Sequence, residues 1–134
     1  MTLEEIAKKV CSRGKGILAA DESTGTIAKR FQGINVENTE QNRIKFRQSL
    51  FNSEAMKAYI GGVILFDETI KQKTSFGMTV PELILKNNSL PGIKVDKGAK
   101  PFANSLDETI TEGLDGLRER LKEYYELGAK FTKW

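Results

Sequence analysis

Apolar positions along the chain switch between a helical spacing and short continuous runs. Leu3, Ile6, Ala7 and Val10 share one helix face, with Glu4, Glu5, Lys8 and Lys9 mostly elsewhere, and Gly14 and Gly16 end that helix. Ile17-Leu18-Ala19-Ala20 is a short apolar run that stops at Asp21, which predicts a buried strand. Ser23 or Thr24 can cap a short helix running through Ile27 to about Phe31. Asn38-Thr39-Glu40-Gln41 fits a capping box and opens a helix that holds Ile44, Phe46, Leu50 and Phe51. Glu54 to Tyr59 continues it after a break near Asn52-Ser53. Gly62-Val63-Ile64-Leu65-Phe66 is apolar and β-branched, the pattern of a strand buried on both faces.

The second half repeats the alternation. Thr79 with Pro81 starts a helix over Glu82 to Lys86, and Pro91-Gly92 punctuates it. Ile93-Lys94-Val95-Asp96 reads as a third strand. Ser105-Leu106-Asp107-Glu108 is a second candidate capping box, followed by a helix whose stripe is Leu114, Leu117, Leu121 and Tyr124. Gly128 stops it, and Ala129 to Lys133 is a fourth strand. Strands beginning near 17, 63, 93 and 129 with helices between them predict an α/β fold with a parallel sheet and right-handed connections. Two architectures fit: a flavodoxin-like open sheet, or part of a (β/α)₈ barrel. A complete barrel needs about 250 residues and eight strands, so residues 1–134 offer about half of one, as a single domain.

Composition removes several function classes. The chain has no histidine, so a Ser-His-Asp triad, a Cys-His pair and a histidine metal site are impossible within it. The single cysteine, Cys11, excludes an internal disulfide, agrees with a cytoplasmic compartment, and falls on the apolar side of the first helix as a small core residue. Lysine and arginine total 21 against 18 acidic residues, a surplus of +3 without a basic cluster, which does not mark a nucleic-acid binder. Met1 opens a mixed-charge amphipathic segment with no signal-peptide core, and no apolar run nears the length of a membrane span, about 20 residues. The sequon Asn87-Asn88-Ser89 is read as chance. No glycine-rich phosphate cradle of the dinucleotide or P-loop kind is present.

The candidate chemistry lies at strand ends, where α/β folds place ligands. Asp21 follows an apolar strand and precedes a helix, so it is either a helix-terminus carboxylate or a site carboxylate. Lys94 lies inside a strand, where a lysine is costly to bury, and shares a face with Asp96. It is a satisfied ion pair or an edge-strand residue, or an inward lysine able to act as a Schiff-base nucleophile. Lys133 closes the fourth strand at the same end of the sheet as Asp21. Arg30 and Arg43 fall on or near helix N-terminal halves, where arginine is most often a solvated surface residue. Trp134 reads as packing, or as a frayed terminus.

Longer motifs go further. Gly14-Lys15-Gly16-Ile17-Leu18-Ala19-Ala20-Asp21-Glu22-Ser23-Thr24-Gly25 closely resembles the first barrel strand of the class I fructose-bisphosphate aldolases. Glu37-Asn38-Thr39-Glu40 with Asn42-Arg43 is similar to that family's next segment. Gly61-Gly62-Val63-Ile64-Leu65-Phe66 with Glu68-Thr69 resembles its second strand, and Gly92-Ile93-Lys94-Val95-Asp96-Lys97-Gly98 its third. Gly113-Leu114-Asp115-Gly116-Leu117 and Lys133-Trp134 complete the set, which covers nearly the whole chain.

The resemblance implies a (β/α)₈ barrel, of which this chain supplies about the first four strands. It also implies reversible cleavage of fructose 1,6-bisphosphate to dihydroxyacetone phosphate and glyceraldehyde 3-phosphate, in glycolysis and gluconeogenesis. That chemistry uses a lysine Schiff base and no metal or cofactor. By motif, Asp21 is the carboxylate at the C4 hydroxyl, and Lys133 the lysine that stabilises developing negative charge. Lys94 is the site lysine near the substrate's charged groups, which demotes it from Schiff-base nucleophile. Arg30 and Arg43 match phosphate-associated arginines, Ser23 a serine of the same loop, and Thr26 stands where the family often has serine.

The resemblance also implies that the next site arginine, the acid/base glutamate, the Schiff-base lysine and the loops that grip the other phosphate have no match in these 134 residues. The expectation is a chain inactive alone, with open first and fourth strands and an exposed apolar face, that self-associates or is partly unfolded. The family's full enzymes are commonly tetramers. Two other readings stay open: a catalytically incomplete aldolase-like chain that binds a partner or a complementary half, and a small open-sheet binder of phosphosugars or nucleotides.

Overall fold

The computed structural model describes residues 1–134. Thr2 opens the first helix, α1 (Leu3–Val10), with a full capping box: its side chain accepts from the Glu5 N–H, and the Glu5 carboxylate accepts from the Thr2 N–H. Strand β1 (Gly16–Ala20) follows, then α2 (Thr24–Gln32), α3 (Glu40–Phe51) and α4 (Glu54–Tyr59). Strand β2 (Ile60–Leu65) leads through the short α5 (Asp67–Lys71) to α6 (Val80–Lys86) and β3 (Leu90–Lys94). A hairpin of β4 (Ala99–Pro101) and β5 (Thr109–Thr111) precedes α7 (Leu117–Glu126) and β6 (Phe131–Lys133).

The four main strands are all parallel and lie in the order β1-β2-β3-β6. That order decides between the two expected architectures. A doubly wound sheet reverses direction at a switch point, whereas this sheet adds each new strand on the same side, as a barrel wall does.

The two faces of the sheet agree. Leu18, Ala20, Val63, Leu65, Ile93 and Val95 point to the helices, where Ile44, Phe51, Met56, Ile70, Val80, Leu83, Ile84 and Tyr124 complete a single core. The opposite face carries Ile17, Ala19, Gly62, Ile64, Gly92 and Phe131, and apart from Val10 of α1, which reaches Gly62, no layer of helices covers it. The Phe131 ring lies across Gly62 and Gly92, where a methyl group at Gly92 would come within 2.4 Å of ring carbon.

Several boundaries differ from expectation for identifiable reasons. Strand β1 is not buried: it pairs only with β2, so Ile17 is 49% exposed on the uncovered face. Pro91 lies inside β3 rather than before it. Its carbonyl accepts from the Lys130 N–H, so its missing N–H also turns toward β6, at the end where that strand has only begun. The N-cap of α3 is Thr39, one residue later than the motif suggested.

Ser105 does accept from the Glu108 N–H, as a cap would, but no helix follows. The β-branched Thr109-Ile110-Thr111 pairs back on Ala99–Pro101 instead. Helix α7 begins only after Gly116, whose φ of 62° is left-handed, so Leu114 lies outside it and exposed. Cys11 caps α1 on the exposed side instead of entering the core, and Trp134 is half-exposed. Asn87 and Ser89 are buried, and Asn87 Nδ2 donates to the Phe51 carbonyl at 2.6 Å, so the sequon is a packing element. No helix is long and apolar enough to cross a membrane.

Candidate active site

The strand register lines up one side chain from each strand at the C-terminal end of the uncovered face. Ala20 pairs with Leu65 and Leu65 with Ile93, so the next residues, Asp21, Phe66 and Lys94, follow in one row; Lys94 pairs with Lys133. Asp21 and Lys133 belong to the two edges of the sheet, three strand spacings apart. In a flat sheet that is about 14 Å, more than an aspartate and a lysine can bridge. Yet Lys133 Nζ donates to Asp21 Oδ2 at 2.7 Å. The sheet is therefore concave on this side, and Lys133 crosses the hollow to reach Asp21, which is buried.

Lys94 is held differently. Its ammonium donates to Asp96 Oδ1 at 2.6 Å and to the Asp96 carbonyl at 3.0 Å, and Asp96 Oδ1 also accepts from the Gly98 N–H. Burial alone would raise the Asp96 pKa, but these hydrogen bonds outweigh it and hold the carboxyl below its ordinary value.

Asp21, Glu22, Ser23, Thr26, Phe66, Lys94, Lys97 and Gly98 line an open cleft of about 460 Å³. Ser23 caps α2, its hydroxyl accepting from the Thr26 N–H and lying 3.1 Å from the Thr26 hydroxyl. The first turn of α2 thus opens onto the cleft, where unpaired N–H groups and lysines favour an anion.

The two arginines sit apart from this row. Arg30 is in the last turn of α2, not the first, and pairs with Glu22 Oε1 at 3.1 Å with its side chain 58% exposed. Arg43 is buried, and its guanidinium clasps Glu68 through two bonds of 2.8 and 2.6 Å while also donating to Asn38. The Arg43 hydrogen bonds hold the Glu68 carboxyl below its ordinary value of 4.5, against a smaller opposing effect of burial. A depressed carboxylate stabilises the fold above its unfolded pKa and loses that contribution as pH falls through its folded pKa. The stability difference between wild type and Glu68→Gln is therefore expected to be constant above about pH 5 and to shrink below pH 4.5. Denaturant titrations across pH 2–7 check this; a difference independent of pH would contradict the clasp.

One residue escaped the sequence reading. Arg47, on the same face of α3 as Ile44 and Phe51, is fully buried. It donates through Nη2 to the Glu22 carbonyl, approaches Glu68 Oε1 at 3.9 Å, and stacks its guanidinium carbon 6.0 Å from the Phe66 ring centroid. The spacing Ile44, Arg47, Phe51 was the available signal, since i, i+3 and i+7 share one helix face. A second polar cluster closes the neighbouring cleft: Tyr124 donates to Asp67 at 2.8 Å, and Lys71 pairs with Asp67 and Glu123. No group of three or more acidic, cysteine or histidine side chains is arranged to hold a metal.

Comparison with known proteins places the chain in a family. Residues 2–134 match the family described as glycolytic, fructose-bisphosphate aldolase class-I. A probable class 1 fructose-bisphosphate aldolase of Xanthomonas campestris is 54% identical over 132 residues, 98% of this chain and 40% of its own length. Fructose-bisphosphate aldolase 1 of Toxoplasma gondii and the cytosolic fructose-bisphosphate aldolase 7 of Arabidopsis thaliana are each 54% identical over 132 residues; the match covers 98% of this chain and 36% and 37% of theirs. Among solved structures, the fructose-bisphosphate aldolase of Plasmodium falciparum, in complex with TRAP and a small-molecule inhibitor, aligns with a TM-score of 0.93 at 50% identity. That alignment covers 97% of this chain and 38% of the other. The chain thus spans between 36% and 40% of the length of these three relatives.

Proposed function

The chain belongs to the class-I fructose-bisphosphate aldolase family, its four parallel strands forming consecutive staves of a (β/α)₈-type wall. From that premise we propose that it supplies the proton-accepting and charge-stabilising face of an aldolase that cleaves fructose 1,6-bisphosphate reversibly. The observation that carries this reading is the row Asp21, Lys94 and Lys133, with Lys133 reaching across the concave face to Asp21.

The chemistry fits these groups. Breaking the C3–C4 bond leaves an electron pair on C3 and requires the C4 hydroxyl to lose its proton. Asp21 is the base for that proton, and Lys133, 2.7 Å away, stabilises charge as it develops. Lys94 opposes the substrate's anionic groups from the neighbouring strand end. Ser23, Thr26 and the first turn of α2 offer donors to a phosphate. Arg30 can swing from Glu22 to a phosphate, whereas Arg43, held by Glu68 and Asn38, acts as a strut.

The electron sink that receives the C3 pair, a Schiff-base lysine by family resemblance, has no match among these residues, and neither does the acid/base glutamate. Reaction through the full cycle, including its use in gluconeogenesis, therefore needs the remainder of a barrel.

The test is a chimera in which this chain replaces the corresponding segment of the Xanthomonas campestris relative. Cleavage of fructose 1,6-bisphosphate by the folded chimera is the expected result; a folded chimera without cleavage would sink the reading. The uncovered face bearing Ile17, Ala19, Ile64 and Phe131 supports a second property. The isolated chain buries this face by self-association or against a complementary half, so it should elute above its 15.0 kDa monomer mass on size exclusion. A stable monomer would contradict that. The cytosolic description of the Arabidopsis relative and the single cysteine favour a cytoplasmic setting.

A further inference from the structure

Arg47 is the one fully buried charge in the chain, and the chemistry proposed above does not use it. Its Nε and Nη1 have no hydrogen-bond partner, although both are shielded from solvent. Unpaired buried donors are costly, and a buried cation can often be replaced by a well-packed apolar side chain at little or no loss of stability. Fold stability alone therefore gives a weak reason for arginine here.

What the guanidinium does touch is specific. Nη2 donates to the main-chain carbonyl of Glu22, the residue immediately after Asp21. Its face rests on Phe66, which stands between Asp21 and Lys94 in the row of strand ends. Its other edge lies 3.9 Å from Glu68, itself clasped by Arg43 from the same helix.

We infer that Arg47 is a positioning residue: by holding the Glu22 carbonyl it sets the exit of β1, and so fixes where the Asp21 carboxylate meets Lys133. The bond goes to main chain rather than to a side chain, so it constrains the path of the backbone next to Asp21. Lys94 is independent of it, because its partner Asp96 belongs to its own strand end. The inference rests on the proposed function for its catalytic meaning, but its test uses no sugar. A chain that shows the linkage and binds no phosphosugar would defeat the functional reading alone.

The test is competitive amine labelling of the 134-residue chain with an isotope-coded acylating reagent, each lysine read by peptide mass spectrometry. In the wild type, Lys133 should react more slowly than the exposed Lys86, because Asp21 holds its ammonium. In Arg47→Met, the Lys133 rate should rise about two- to fivefold, the range expected for losing a half-exposed ion pair. Lys94 should be unchanged. Asp21→Asn should give the same rise, and adding Arg47→Met to it should add nothing.

An unchanged Lys133 in folded Arg47→Met, an equal rise at Lys94, or additive effects in the double variant would each overturn the inference. If Arg47→Met does not fold, Arg47→Lys decides. It keeps the charge but loses the planar fork, and should shift Lys133 in the same direction by a smaller factor. Failure of both variants to fold would make Arg47 a residue of the fold alone and overturn the inference equally.

Discussion

Asp21→Asn in the chimera lowers kcat by about 10³-fold and leaves KM within a few-fold, on the scale of losing a general base. The substitution separates two roles. Asparagine has nearly the same shape, and its side-chain oxygen can still accept from Lys133, so the ion pair of 2.7 Å becomes an ordinary hydrogen bond without a large movement. What disappears is the basicity that takes the C4 proton. An interaction needed only in the transition state lowers kcat and kcat/KM together. Steady-state kinetics with fructose 1,6-bisphosphate measures both. A loss of less than about tenfold would mean that another group accepts the proton and that Asp21 only anchors Lys133.

Phe51→Ala has the largest expected effect on stability, a loss of about 3–5 kcal/mol. Phe51 closes α3 and is wholly buried in the core. Its carbonyl accepts from Asn87, but that bond goes to the main chain and survives the substitution. The loss is thus transfer free energy plus the cavity left by the ring. Against a total stability of about 5–15 kcal/mol, this is enough to leave the chain marginally folded or unfolded. Urea unfolding read by circular dichroism provides the measure. A loss below about 1 kcal/mol would show that the helix layer is not packed on the sheet as described.

The parts of the fold written in local patterns were legible, and the parts set by distant partners were not. The apolar runs ending at Asp21 and Phe66 located two strand ends, whereas the third strand, read as Ile93 to Asp96, spans Leu90–Lys94 and shares only Ile93 and Lys94 with that reading. Together with the fourth strand they placed the row of site residues before any register was known. Periodicity alone left the order of strands open, since a flavodoxin-like sheet and a barrel wall share the same βα alternation; the aldolase-like motifs pointed to the barrel, and the parallel order β1-β2-β3-β6 bears that out.

The Ser105 motif misled because a serine accepting from the N–H three residues on is the same local contact in a helix cap and in a turn. The β-branched residues that follow decide in favour of a strand. Arg47 was invisible for a different reason. An arginine in a polar helix reads as solvated, and its burial follows from Phe66 and the Glu22 carbonyl, 19 residues later and 25 residues earlier in the chain. Arg43 shows the converse: a motif suggested a phosphate ligand, and the pairing of its guanidinium with Glu68, 25 residues away, was not visible in that motif.

The central claim is a division of labour, in which this chain accepts the proton and steadies charge while the electron sink lies elsewhere in the barrel. Borohydride trapping with dihydroxyacetone phosphate tests it most directly. The reagent is added separately to the isolated chain and to the chimera, and the adduct is mapped by peptide mass spectrometry. The account predicts an unchanged mass for the isolated chain, and in the chimera a single adduct on a lysine of the relative's segment. A stable adduct on Lys94, Lys133 or any other lysine of these 134 residues would contradict it, and the roles assigned to the strand ends would have to be exchanged.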